Sequence, residues 1–436
     1  MRSLSFVRLV LGSLAFLCVT GASAAAQKGV ESVYIAIVGG TVYPVSGPPI
    51  EHGTVLIHND KIVAVGSNVS IPADAHRLDA TGKIVTPGLI HAATQLGVEE
   101  VLAVNDTRDV TAQGENNVAA AFRVWNGLNS QSALIPAARE EGITSVVVTP
   151  TGGLIAGQAA IIDLSDGPAP RMIRKAPAAM VAQVNTPPDA GTGARGELVG
   201  KLRMILDEAR YYSTHRNAYD RNATRPVHVS RDQLEALQPV LRRTIPLIIT
   251  ANRADDIVNA LGIAKDYHIR VIIGGGAEAW MVVDRIAVAH VGVLTGAMNN
   301  IPSSFETLNQ RQENAMLLAG ANIPVAIIGN AGDSDEGYYN VRNVKYEAGN
   351  AVSYGMSHEA ALRAVTLTPA ELFGVSDHVG ALKAGMDANV VVWSGDPFEF
   401  STTVEHVFIH GADMRMGRSR QDLLTDRYKS RTATGH

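Results

Sequence analysis

Strand-length apolar runs alternate with helix-patterned stretches through the middle of this chain, and that rhythm limits the fold more than any other feature. The runs fall at 144–148, 245–249, 270–273, 292–294 and 323–328. Between them, Leu198, Leu202, Ile205 and Ala209 share one helical face. Ile257, Leu261 and Ala264 share another, and 314–318 and 360–364 repeat the pattern. Near-continuous apolar strands separated by helices imply a parallel sheet buried on both faces. Roughly 290 residues of such alternation is the size of a (β/α)8 TIM barrel.

The two ends read differently. Residues 33–86 carry short β-branched stretches at 33–38, 42–45, 53–58 and 61–65, broken by Gly39-Gly40, Gly47-Pro48-Pro49 and Asn59-Asp60. A second β rhythm follows Val375, with Gly380 to Gly385 leading into 389–393 and then 404–409. Each segment is too small to bury a core alone, so the two are expected to pack together as one split β-sandwich beside the barrel. The expected division is a signal peptide at 1–26, sandwich at 27–86, barrel at 87–376, sandwich again at 377–412 and a charged tail at 413–436.

Arg2 and Arg8 precede an apolar run over 9–19 that ends in Ala22-Ser23-Ala24 and Ala24-Ala25-Ala26. That is the pattern of a Sec-type signal with a small-x-small cleavage site, the competing reading being an uncleaved anchor. Export places the mature chain in a bacterial periplasm or outside the cell, with no membrane span left. The only cysteine, Cys18, would leave with the signal, which removes disulfides, thiolate metal sites and cysteine nucleophiles. With 46% hydrophobic and 18% charged residues the chain is globular, and a net charge of −5 gives no reason to expect a nucleic-acid partner.

Six stretches carry a family likeness. They are Val38-Gly39-Gly40-Thr41-Val42, Gly53-Thr54-Val55-Leu56-Ile57 with Lys61-Ile62-Val63-Ala64-Val65-Gly66, Gly82-Lys83-Ile84-Val85-Thr86-Pro87-Gly88-Leu89-Ile90, Thr366-Leu367-Thr368-Pro369-Ala370-Glu371-Leu372-Phe373-Gly374, and Gly380-Ala381-Leu382-Lys383-Ala384-Gly385-Met386-Asp387-Ala388-Asn389. In these the chain resembles the metal-dependent amidohydrolase superfamily, most closely its exported imidazolonepropionase-like members, over roughly residues 33–412. The resemblance implies hydrolysis of C–N or related bonds by metal-bound water, which needs about three fixed N or O ligands. It places an H-x-H pair after Pro87-Gly88-Leu89-Ile90, where this chain has Ala93 and Gln95. It expects further histidines where Thr250 stands and within 271–280, and a carboxylate where Gly329 and Asn330 follow an apolar strand. Alanine offers no donor atom, and an amide oxygen is a poor ligand for a transition metal.

The candidate catalytic residues are therefore Asn330 and the offset carboxylate Asp333, with Asp335 near it. His91, Gln95, Thr250, Asn252, Arg253 and Glu278 are the candidate ligand-pocket residues. His91 shares strand parity with Ala93 and Gln95; it either helps Asp333 and Gln95 hold a metal loosely or is a hydrogen-bonded residue of the barrel. Arg253 either holds a substrate carboxylate or pairs with Asp255 and Asp256, which can cap the next helix. Gly274-Gly275-Gly276 with Ala279 echoes a dinucleotide loop but lacks the partner acidic residue; a backbone-amide cradle beside Glu278 and Trp280 is the other reading. The Arg- and Tyr-rich stretch 210–231 suits an anionic partner or a solvated helix.

Two functions stay open. One is a degenerate member with no cofactor, which binds a small molecule at the barrel mouth or partners an active paralogue in a homo- or hetero-oligomer. The other is a hydrolase of non-peptide C–N bonds in a small amide, dipeptide or cyclic ureide, with a divalent metal such as zinc in a rebuilt site.

Overall fold

A computed structural model of the chain describes residues 33–185, 193–298, 302, 304–329, 337–414 and 429. The expected signal at 1–26 and most of the expected tail lie outside the described residues, as do Asn330, Asp333 and Asp335.

In chain order the strands are β1 (Tyr34–Val42), β2 (Ile50–His58), β3 (Lys61–Gly66), β4 (His76–Asp79), β5 (Ile84–Pro87), β6 (Leu89–Thr94), β7 (Ile143–Val148), β8 (Ile155–Asp163), β9 (Ile173–Gln183), β10 (Leu247–Ala251), β11 (Val271–Gly275), β12 (Gly292–Thr295), β13 (Val325–Ile327), β14 (Val390–Trp393), β15 (Val404–Ile409) and β16 (Ala412–Asp413). They form two sheets. The first runs β16-β15-β14-β5-β1-β2-β3, with β4 beside β1. Chain ends about 300 residues apart in sequence therefore share one backbone ladder, in which Val391 pairs with Thr86. The separate strand expected at 42–45 does not form: β1 ends at Val42 and Val45 takes φ 64°. Pro44 has no N–H with which to continue a ladder.

The second sheet is the barrel, in the order β13-β12-β11-β10-β9-β8-β7-β6. Its architecture is α/β, but not every strand is parallel. β8 runs antiparallel to both β7 and β9, and this corrects the all-parallel expectation. Only residues 149–154 join β7 to β8. A parallel crossover needs a dozen or more residues, so this link can only make a hairpin. Gly152 and Gly153, at φ 86° and 67°, turn it. The pair of glycines between two apolar runs is the sequence signal for that hairpin.

Along the parallel strands the side chains alternate between two cores. Leu247, Ile249, Val271, Ile273 and Val325 face the helices outside. Ile248, Ile272, Leu294, Ala326 and Ile328 fill the lumen with Val147 and Val181. The helices predicted from Leu198 to Ala209 and from Ile257 to Ala264 lie within Arg195–Tyr219 and Ala254–Tyr267. Among the described residues no helix is long and apolar enough to cross a membrane.

Two contacts couple sheet to barrel. Trp393, at the end of β14, is fully buried and donates its indole N–H to Thr86 Oγ1 at 2.8 Å. Its ring lies over Gly142, where a Cβ would come within 2.3 Å, and Gly142 has φ 84°. The other contact is a buried ion cluster. Arg174 on β9 bridges Asp163 on β8 and Asp387, each at 2.7 Å. Lys61 pairs with Asp387 from the sheet side, and His410 Nε2 meets Asp163 Oδ2 at 2.8 Å. Burial alone would raise both carboxyls. His410, Arg174 and Ser145 outweigh that at Asp163, as Lys61 and Arg174 do at Asp387, and both stay below their ordinary value. Asp163 in turn raises His410.

Trp393→Ala removes a large buried ring and should cost about 3–5 kcal/mol, read as a lower urea midpoint. Gly142→Ala should also destabilise, through its positive φ and the indole. A midpoint within error of wild type for both would reject the packing account. The cluster also predicts a pH dependence. Lowered carboxyl pKa values give stability present above 3.8 and lost as pH falls through the folded values. The raised His410 gives stability present below 6.5 and lost as pH rises through its folded value. Stability should thus peak between these limits, and Asp163→Asn should flatten the acid limb of a Tm-against-pH curve.

Candidate functional site

The seven parallel strands all end on one face of the barrel, the face on which barrel enzymes carry their chemistry. A cavity of about 280 Å³ opens there. Its floor is the apolar lumen layer of Val181, Ile248, Leu294 and Ile328. The wall comes from strand ends: Ala93 and Gln95 at the end of β6, Thr149 and Thr151 after β7, Gln183 and Asn185 at β9, Thr250 and Asn252 at β10, Gly274 and Gly275 on β11, and Gly329 after β13. The side chains supply amides and hydroxyls, with His91 below them.

His91, Gln95, Thr250 and Asn252 are thus brought together as the sequence suggested. Gln95 is held in place: its Nε2 donates to Thr149 Oγ1 at 3.1 Å, and its backbone N–H donates to the Gly337 carbonyl at 2.5 Å. Asn252 has its space because residue 275 is a glycine. A Cβ there would lie 2.3 Å from Asn252 Oδ1, and Gly275 takes φ 85°.

Two candidates belong elsewhere. Glu278 is buried outside the cavity lining. Its Oε2 accepts the Ala254 N–H at 2.9 Å and its Oε1 accepts from Asn309 Nδ2 at 2.9 Å. It caps the helix Ala254–Tyr267, where an anion meets exposed N–H groups and the positive end of the dipole. Arg253 also lies outside the lining and precedes that helix. Burial raises Asp256, and the charges of Arg195, paired with it at 3.2 Å, and of Arg253 oppose the rise. The glycine loop offers no free amide cradle at Gly276 and Glu278, whose N–H groups donate to Ala251 and Asn252 carbonyls at 3.0 and 2.8 Å. Four cations of 210–231 are internally engaged: Arg216 with Glu235, Arg231 with Asp220, and Arg210 and Arg225 over Tyr267 and Tyr211.

His91 decides what the mouth can do with a metal. It is 1% exposed, and its Nε2 accepts the Gly329 N–H at 3.1 Å. Its Nδ1 lies 3.4 Å from the Ala93 backbone nitrogen. Burial pushes its pKa down to about 4, so the ring is neutral at ordinary pH. A neutral imidazole has one acceptor nitrogen, and the shorter contact claims it. Both ring nitrogens face backbone N–H groups, which leaves no lone pair for a cation. Ala93, Gln95, Thr250, Gly274 and Gly329 bring only neutral oxygens or nothing, and such donors suit a transition metal poorly. Among the described residues no group of three or more His, Cys, Asp or Glu is placed to hold a metal. The described residues therefore do not fit the metal that the resemblance implies.

Thr149, Thr151, Gln183 and Asn185 were missed from sequence. Their signal is weak but present: each is a polar residue at or just past the end of an apolar strand, where barrel side chains reach the mouth.

A family model for the amidohydrolase family matches residues 276–413. The chain is 23% identical over 398 residues to the amidohydrolase tasK of Hapsidospora irregularis, covering 82% of this chain but only 39% of that longer protein. It is 22% identical over 401 residues to an imidazolonepropionase of Acidiphilium cryptum, covering 80% of this chain and 89% of the relative. An amidohydrolase structure from Thermotoga maritima superposes with a TM-score of 0.79 at 26% identity, covering 87% of this chain and 99% of that one. The strand-end motifs, the barrel with its composite sheet and these matches agree in supporting the amidohydrolase superfamily for this chain.

Proposed function

We propose that this chain is a member of the superfamily without metal-activated water, and that its barrel mouth binds a small uncharged polar molecule. One observation carries the reading. The strand ends that meet at the cavity present Ala93, Gln95, Gln183, Thr250, Gly274 and Gly329, and the histidine beneath them is bound to Gly329. Making hydroxide near neutral pH requires a Lewis acid held by several good donors. Amides and hydroxyls over an apolar floor instead suit a compact ligand with both donors and acceptors.

The same reading includes export through the N-terminal signal and pairing with an active paralogue as a non-catalytic subunit. It also includes the domain division at 27–86, 87–376 and 377–412. The terminal strands are read as a split sandwich because Ile37, Val55, Ile57 and Val85 share one core with Val390, Val392 and Phe408.

A second reading has one observation in its favour. Gly329 and Gly337 both line the cavity, and the chain between them holds Asp333, Asp335 and Glu336. A hydrolase of a small amide, dipeptide or cyclic ureide would draw its carboxylates from that segment.

Metal analysis separates the two. Purified protein should hold zinc, manganese and iron well below one equivalent; one tightly bound equivalent, with amide turnover lost to a chelator and restored by metal, would establish the hydrolase. His91→Ala should lower stability by about 1–3 kcal/mol through the orphaned Gly329 N–H, leaving metal content unchanged. Loss of a bound metal in that variant would overturn the non-metal reading.

A further inference from the structure

At the opposite end of the barrel a larger feature is left without a role. An open groove of about 1150 Å³ runs between the helices Ala254–Tyr267 and Val283–Ala289. Val258, Leu261, Val288 and Val291 line it, Leu261 and Val291 being buried and Val288 82% exposed. A concave wall of aliphatic side chains suits an apolar ligand group.

The groove is also cationic: Arg243, Lys265, Arg270 and Arg285 line it with His290, and the Arg270 charge acts on Lys175 beside it. Arg270 donates to the Leu372 carbonyl at 2.8 Å and Lys175 to the Phe373 carbonyl at 2.7 Å. Both thus cap the C-terminus of the helix Leu367–Phe373, a structural role. That cap leaves the charges uncompensated. Burial and then the neighbouring Arg243 charge lower Arg270, and burial and then Arg270 lower Lys175. Like charges crowd here with no carboxylate among the groups acting on them. Of the acids in the lining, Glu371 is held by Arg363 at 2.6 and 2.7 Å, and Asp284 lies on the first turn of the Val283–Ala289 helix.

We propose that this groove is a second ligand site, for a long-chain carboxylate whose alkyl tail lies between the two helices and whose head meets Arg243 and Arg270. The apolar wall accounts for the tail, and the unbalanced guanidinium pair for the head. A guanidinium fork matches a carboxylate in two hydrogen bonds. The site lies away from the mouth and does not depend on what the mouth binds.

Isothermal titration of the full chain with laurate, below its micelle concentration, tests the proposal. Saturable one-to-one binding is expected, at least about tenfold tighter than for uncharged dodecanol. Arg243→Glu should weaken laurate about tenfold or more, and Val288→Asp, at the tail end, should weaken it as well. Both side chains are exposed, so circular dichroism and Tm should stay those of wild type. Absence of saturable laurate binding, or equal binding by Arg243→Glu, overturns the proposal. Two other results would also overturn it: binding only to anionic phospholipid vesicles, which assigns the groove to a membrane surface, or a dimer broken by Arg243→Glu without any laurate effect, which assigns it to a second copy.

Discussion

The first and last strands of the barrel, β6 and β13, share no backbone ladder. Their seam is closed by side chains and loop backbone: His91 Nε2 on the Gly329 N–H, Thr94 Oγ1 on the Gly337 carbonyl at 2.6 Å, and the Gln95 N–H on the same carbonyl. These bonds lie directly under the cavity, so the geometry of the mouth depends on them. A buried neutral imidazole that accepts a backbone N–H satisfies a donor that would otherwise be orphaned at appreciable cost. The same commitment makes His91 unavailable as a ligand or base. At this seam His91 serves barrel closure.

Around that seam the chain separates its charges from its mouth. Carboxylates and cations concentrate where sheet meets barrel, in the Asp163, Arg174, Asp387 and His410 cluster, and at helix termini such as Glu278 over Ala254. A buried ion pair contributes modestly to net stability but penalises the loss of either partner heavily. Such a cluster therefore fixes how the composite sheet docks on the strands that it meets. Trp393 against Gly142 does the same by shape. Among the described residues the cavity presents neutral amides and hydroxyls, groups that can hydrogen-bond a polar ligand.

The hairpin of β7 and β8 belongs to the same economy. By turning back at Gly152-Gly153 the chain adds a barrel strand without an intervening helix, and the turn places Thr149 and Thr151 in the cavity wall. Thr149 then fixes the Gln95 amide. An irregularity in strand direction thereby becomes a source of side chains at the mouth.

Much of this was legible in the sequence. The alternation of apolar runs and helical faces fixes a barrel, because a strand buried on both faces must be apolar throughout. The Pro87-Gly88-Leu89-Ile90 anchor places Ala93 and Gln95 at the mouth, and residue identity alone makes them poor donors for a transition metal. Only the tertiary structure could decide the rest. Which nitrogen of His91 is occupied depends on Gly329, 238 residues away. Whether Glu278 and Arg253 face the ligand or the helix Ala254–Tyr267 depends on distances that no sequence interval encodes. Local pattern specifies which residues a strand carries to its end; where those ends meet, and what each side chain finds there, is set by long-range packing.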